Sequence, residues 1–141
     1  MSYRYLDHGA DMGLEGRGSS TEEAFEEAAK AMFGLMVELD EVKPEREVGI
    51  KVEGKDRETL FYNWMAELLT ESNLKETVFS SFSVNSIDKS SDGDYILLGE
   101  ARGQTYDGGI KKIGEVKGVT FMGLEVRGVE GNWKCRGVVD L

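Results

Sequence analysis

One cysteine, one histidine and one proline occur in 141 residues, and each scarcity closes off a class of function. Cys135 has no partner for an intrachain disulfide and no companions for a four-cysteine zinc site. His8 is far from it in sequence, so Cys135 reads as a core residue rather than a nucleophile. A sole histidine also leaves little material for acid–base catalysis, and Ser19, Ser20, Ser80 and Ser81 stand in no triad context. The single proline and the scattered glycines argue against a long disordered linker. No apolar run approaches the roughly 20 residues of a membrane span. The opening Met1–His8 lacks the apolar stretch of a signal peptide, so a cytoplasmic location without a membrane partner is expected.

Basic residues are outnumbered as well, 17 against 27 acids, for a formal charge of −10. Non-specific affinity for nucleic acid comes largely from Lys and Arg displacing counterions. No direct nucleic-acid binding is therefore expected, and a basic protein or a metal ion is the more natural partner. The apolar share of 40% suffices for one packed core, and residues 1–141 show no internal repeat, so one domain is expected.

What is present is ordered by period. Ser20-Thr21-Glu22-Glu23 has capping-box spacing. It is followed by Ala24, Phe25, Ala28, Ala29, Met32, Phe33, Leu35 and Met36 in one apolar stripe, which predicts a helix running toward Glu38–Asp40, ahead of Pro44. A second helix is predicted from Asp56 or Arg57, with Leu60, Phe61, Trp64, Met65, Leu68 and Leu69 inward and Glu58, Asn63, Glu67 and Glu71 outward. Strands are predicted at Tyr3–Leu6, Gly13–Gly18, Arg46–Val52, Phe79–Ile87, Tyr95–Ala101, Val116–Phe121, Leu124–Val129 and Trp133–Val139. Asp92-Gly93 and Gly131-Asn132 are turn signals, and Gly103–Gly114 reads as a mobile loop. Helices with one-sided apolar faces need a sheet to cover them. The expected fold is therefore α+β, a two-layer sandwich of two helices on a mainly antiparallel sheet.

Three segments carry candidate chemistry. Asp7-His8-Gly9-Ala10-Asp11 gathers two carboxylates and the histidine in five residues. Carboxylate oxygens suit hard cations such as calcium or magnesium; the local alternative is an Asx turn closed by Asp7 or Asp11. Val138-Val139-Asp140-Leu141 sets an aspartate beside a terminal carboxylate, a crowding of negative charge that a cation relieves; a frayed tail is the alternative. In Glu115-Val116-Lys117, strand alternation sets Glu115 and Lys117 on one face, roughly 6.6 Å apart. Either a salt-bridged surface or a charged pair aimed at a partner fits that spacing. Gly118–Gly123 lacks the setting of a phosphate loop.

Taken together, these residues resemble the archease family. The likeness rests on Tyr5-Leu6-Asp7-His8-Gly9-Ala10-Asp11, on Thr21–Glu26 with Ala29–Phe33, on Asn63–Leu69, on Glu115–Thr120 and on Val138–Leu141, in the family's order and over nearly the whole chain. The resemblance implies an SHS2-type domain (strand, helix, strand, strand) with added strands. It further implies a cofactor of RtcB-type RNA ligases, which join tRNA exon halves with GTP and a divalent metal. Such proteins promote guanylylation of the ligase and sustain multiple turnover. The family's metal site maps onto Asp11, Asp140 and Leu141, with Asp7 and His8 as shell or turn residues, and its functional lysine maps onto Lys117. Calcium is the first expectation for the cation, with magnesium or manganese as alternatives. Two histidines of many relatives are missing: Gly108-Gly109-Ile110 and Thr120-Phe121-Met122 stand in their places, and Gly118 replaces a commoner alanine.

The expectation is thus an activator in tRNA processing that is not itself an enzyme, with Lys117 and Glu115 facing the partner. Two competing readings are a small metal-dependent phosphoester hydrolase and a pure protein-interaction adaptor.

Overall fold

A computed structural model describes residues 1–8, 11–106 and 109–141, and for Asp7 and His8 the backbone alone. Helix α1 spans Thr21–Gly34 and helix α2 spans Arg57–Leu74. The first opens at Ser20, whose hydroxyl accepts the Glu23 N–H at 3.1 Å, while the Glu23 carboxylate reaches back to the Ser19 N–H. The second opens at Asp56, whose carboxylate accepts the Thr59 N–H at 2.7 Å. Both caps satisfy donors that a helix start leaves bare. α1 is shorter than its apolar stripe predicts. It ends at Gly34, and Leu35, Met36 and Val37 follow in a turn whose amides still bond to Met32 and Phe33. Met36 and Val37 are buried all the same, so the stripe continues into the core without the helix.

Among the described residues seven strands surround the helices: β1 (Ser2–His8), β2 (Asp11–Gly18), β3 (Arg46–Gly54), β4 (Thr77–Lys89), β5 (Tyr95–Thr105), β6 (Gly118–Val129) and β7 (Asn132–Asp140). All pairings are antiparallel, and the α+β class with two helices on antiparallel β-structure stands. The strands divide between two sheets, β1-β2-β7-β6 and β3-β5-β4, where the sequence suggested one. Each helix packs on strands of both sheets. The reason lies in α1, where Ala24, Phe25, Ala28, Ala29, Ala31, Met32 and Phe33 are fully buried. Apolar contact so far round a helix needs cover on more than one side.

Close approach explains the glycines that matter. A Cβ on Gly16 would sit 2.2 Å from the Ala24 carbonyl oxygen, so α1 lies directly on the backbone of β2. A Cβ on Gly103 would lie 1.7 Å from the Val78 carbonyl oxygen. Gly103 therefore belongs to β5, and the predicted loop starts only after Thr105. The predicted strands Val116–Phe121 and Leu124–Val129 are one strand, β6, with a break in register between Thr120 and Glu125. The Trp64 indole N–H donates to the Phe25 carbonyl at 3.1 Å and ties the two helices together. No described helix is long and apolar enough to cross a membrane.

Candidate functional site

Register decides where the candidate residues meet. In the four-stranded sheet His8 pairs with Asp11, Asp11 with Asp140, and Asp140 with Gly118, a single row across all four strands. Directly opposed residues of antiparallel strands share a face, with Cβ atoms about 4.5–5.5 Å apart. The first and last parts of the chain are thereby joined. Asp11 is half-buried, Asp140 is exposed, and Leu141 is 37% exposed. Lys117 arrives at the same end of the sheet, because its backbone N–H donates to the Asp140 carbonyl at 2.8 Å.

Glu115 and Lys117 do not lie in a strand, since β6 begins only at Gly118 and residues 110–117 have no regular pairing. The strand-derived spacing between them does not apply. Their alternation survives by another route: Val116 is buried at 4% exposure and anchors the segment, leaving Glu115 and Lys117 in solvent on either side. Among the described residues Lys117 forms no ion pair, and it is exposed. A Cβ on Gly118 would meet nothing within 4 Å, so packing does not demand glycine there and an alanine would fit. The Asp7 and His8 side chains, Gly9, Ala10 and Gly108 lie outside the described residues.

The Asp11–Asp140 pair fits a hard cation in charge and donor type. Two aspartates directly opposed repel when bare, and calcium or magnesium takes oxygen ligands almost exclusively. The described residues supply no cluster of three or more His, Cys, Asp or Glu side chains. A cation held here would complete its shell with main-chain oxygens and with water, both of which hard cations accept.

One charged centre escaped the sequence reading. Glu15, in the middle of β2, is fully buried and accepts from Arg4 at 2.5 Å, Arg17 at 2.9 Å and Arg136 at 2.7 Å. Burial by itself raises the Glu15 carboxyl, but the hydrogen bonds from Arg4, Arg136 and Arg17 outweigh it and bring the pKa down to about 2. Alternation of Leu14, Glu15, Gly16 and Arg17 was a visible strand signal. The partners Arg4 and Arg136 come from strands far apart in sequence, so no local pattern announced the cluster. Cys135 behaves as the sequence suggested: it is fully buried, its thiol directed at the carbonyls of Ala24 and Gly16. Burial, only partly opposed by the Gly16 contact, pushes that thiol well above its ordinary range.

Comparison with known proteins gives a consistent picture. Residues 3–141 match the model of the Archease protein family (MTH1598/TM1083). The chain is 34% identical over 142 residues to a Methanosarcina barkeri protein named archease, covering 99% of this chain and 95% of that one. The solution structure of Methanobacterium thermoautotrophicum protein 1598 superposes with a TM-score of 0.85 at 32% identity, over 99% of both chains. A Thermotoga maritima crystal structure, described as an archease and possible chaperone, shares the fold at a TM-score of 0.56 and 19% identity, over 98% of this chain and 96% of that one.

Proposed function

This chain belongs to the archease family, and on that premise we propose that it activates an RtcB-type RNA ligase in tRNA splicing rather than catalysing a reaction itself. The observation that carries the reading is the register of β2 against β7. It sets Asp11 opposite Asp140 and, through the Lys117 N–H, brings the Glu115–Lys117 segment to the same end of the sheet. The residues that the family resemblance singles out, scattered over the whole sequence, come together at one edge.

In this reading Asp11, Asp140 and an oxygen of Leu141 hold a divalent cation, calcium first, with magnesium or manganese able to replace it. When bound, the cation cancels the repulsion between the aspartates and supplies a positive centre for phosphate oxygens. Lys117 offers a second positive charge from a solvent-facing position, and Glu115 beside it sets the local charge pattern a partner must match. The acidic balance of the chain draws it toward a basic RNA-binding surface on the ligase. Together these groups promote guanylylation and turnover of the ligase by docking, a role compatible with the description of the Thermotoga maritima protein as a possible chaperone.

Ligation by an RtcB-type enzyme with GTP, measured with and without this protein, tests the reading. Added protein should raise the number of turnovers, and Lys117→Ala should remove most of the gain while leaving the fold intact by circular dichroism. No stimulation by the native protein sinks it. Phosphoester hydrolysis by the purified protein alone would put the hydrolase reading in its place.

A further inference from the structure

The outer face of the four-stranded sheet, turned away from the helices, is divided by charge. β2 residues at even positions, such as Leu14 and Gly16, face the core, so Asp11, Gly13, Glu15 and Arg17 lie on the other side. Register extends that face over the neighbouring strands. One row reads Arg4, Glu15, Arg136, Glu125, and the next reads Ser2, Arg17, Lys134, Arg127. This half carries five cationic side chains and two carboxylates, an excess of three positive charges on a chain whose net charge is −10. The Glu15 carboxylate is hidden beneath its arginines, whereas Arg4, Arg17 and Arg127 remain 53%, 50% and 59% exposed. Solvent meets mainly guanidinium: Arg136 is 34% and Lys134 only 13% exposed, and the Glu125 carboxylate, paired with Arg127 and Lys134, is 37% exposed.

We propose that this arginine-bearing half of the sheet is a docking surface for the phosphate backbone of an RNA strand. Charge complementarity selects an anionic partner, and the character of the face selects among anions. Protein interfaces have an apolar or aromatic centre, and these two rows hold none. Nucleic-acid interfaces are polar and cationic, and forked arginine donors match phosphate oxygens. Cations stand about 4.8 Å apart across strands and nearly 7 Å apart along them, a grid on the scale of successive phosphates. The face runs on into a cleft of about 550 Å³ flanked by Arg17, Ser19, Trp133 and Lys134, with Glu23 and Glu130 also on its wall. Its room is of the order of one small ligand, and its charge is balanced, so the phosphate contacts belong to the arginine rows and not to the cleft. Along β7, Lys134 is six residues from Asp140, about 20 Å. One strand can therefore cross the arginines while its end lies at the acidic edge. The expectation from net charge, that nucleic acid is repelled, does not apply to this face. That the strand is RNA rather than DNA rests on the ligase reading above; the phosphate-binding face rests on the charges alone.

The test is fluorescence anisotropy of a labelled 20-nucleotide single-stranded RNA titrated with the full chain in 50 mM salt, without ligase. Saturable binding is expected, with log affinity falling against log salt at a slope near −2, the value for about three neutralised phosphates on a single strand. Arg17→Glu combined with Arg127→Glu should weaken binding at least tenfold, and Lys51→Glu on the other sheet should leave it unchanged. Should the double variant fail to fold, Arg127→Glu alone gives the answer. Arg127 contacts only Glu125 among the described ion pairs, and its loss should still flatten the slope by about 0.7. The proposal is overturned by absent binding, by a salt-independent affinity, or by equal weakening in Lys51→Glu. Displacement of the RNA by a polyglutamate peptide of equal charge at equal or lower concentration also overturns it, in favour of an acidic protein. Because no ligase is present, a negative ligation assay leaves this result standing, and the reverse holds too.

Discussion

The opposition of Asp11 and Asp140 makes a prediction whose sign depends on calcium. With Cβ atoms about 5 Å apart across the strand pair, two carboxylates at a similar separation repel by about 0.8 kcal/mol in bulk water and about 3 kcal/mol at the dielectric of a protein surface. Asp140 is exposed and Asp11 only half-buried, so the lower part of that range, about 1 kcal/mol, applies. In chelator, Asp140→Asn should therefore be more stable than the native chain by about 1 kcal/mol. For a domain of this size that is a rise in Tm of about 4 °C, shrinking in 0.5 M salt as screening takes hold. Calcium at a hundredfold excess over its Kd should stabilise the native chain by about 2.7 kcal/mol and the variant far less. The order of stability should then invert. Differential scanning calorimetry of both chains, in chelator and in millimolar calcium, reads all four states. A variant less stable than the native chain in chelator would show that the aspartates do not strain one another. Equal calcium shifts in both chains would remove the metal site.

Other predictions follow from single contacts. Glu15→Gln should cost about 2–3 kcal/mol in urea unfolding at pH 7, because three arginines lose their shared counter-charge. The Glu15 carboxyl has its pKa lowered from 4.5 to about 2 in the folded state, so its contribution is complete above about pH 4.5 and is lost as pH falls toward 2. The gap between native and Gln chains should close over that interval, and a gap that persists at pH 2 contradicts the assignment. Gly103→Ala should lower stability by about 2 kcal/mol or more, since its Cβ has no space against the Val78 carbonyl; an unchanged Tm would mean β4 and β5 separate more easily than their pairing implies. Cys135 should react with a thiol reagent only at the rate of global unfolding, and labelling that is fast in the native state would contradict its burial.

Local order was legible where one residue type carried one physical signal. Ser20 and Asp56 announced the helix starts, and both hydrogen-bond the amide three residues on. Gly93 was predicted to turn and does so at a φ of +91°; at the other hairpin Glu130 and Gly131 take positive φ, one residue before the predicted Gly131-Asn132 pair. What failed were statements about pairing. The number of sheets depends on how much of α1 needs covering, which a stripe of alanines understates because each small side chain buries little yet allows close approach from another side. Val116–Phe121 and Leu124–Val129 read as two strands, yet both fall largely within β6, whose register breaks between Thr120 and Glu125. In that break Phe121 stacks on Tyr62 of α2, ring centroids 3.9 Å apart. The candidate site was legible as two segments at opposite ends of the sequence. Their meeting was a premise, and the register of β2 with β7 supplies it.

The order β1-β2-β7-β6 has a consequence for synthesis as well as for the folded state. β7 is the last of the described elements to leave the ribosome, yet it is an inner strand of its sheet. Until it emerges, the hairpin of β1 and β2 and the strand β6 each present an unpaired edge. The joining contacts, such as Asp11 to Asp140, span almost the whole chain and are slow to find. Nascent chains should therefore pass through a stage that is sticky at those edges, and any pause in translation ahead of residue 132 would prolong it.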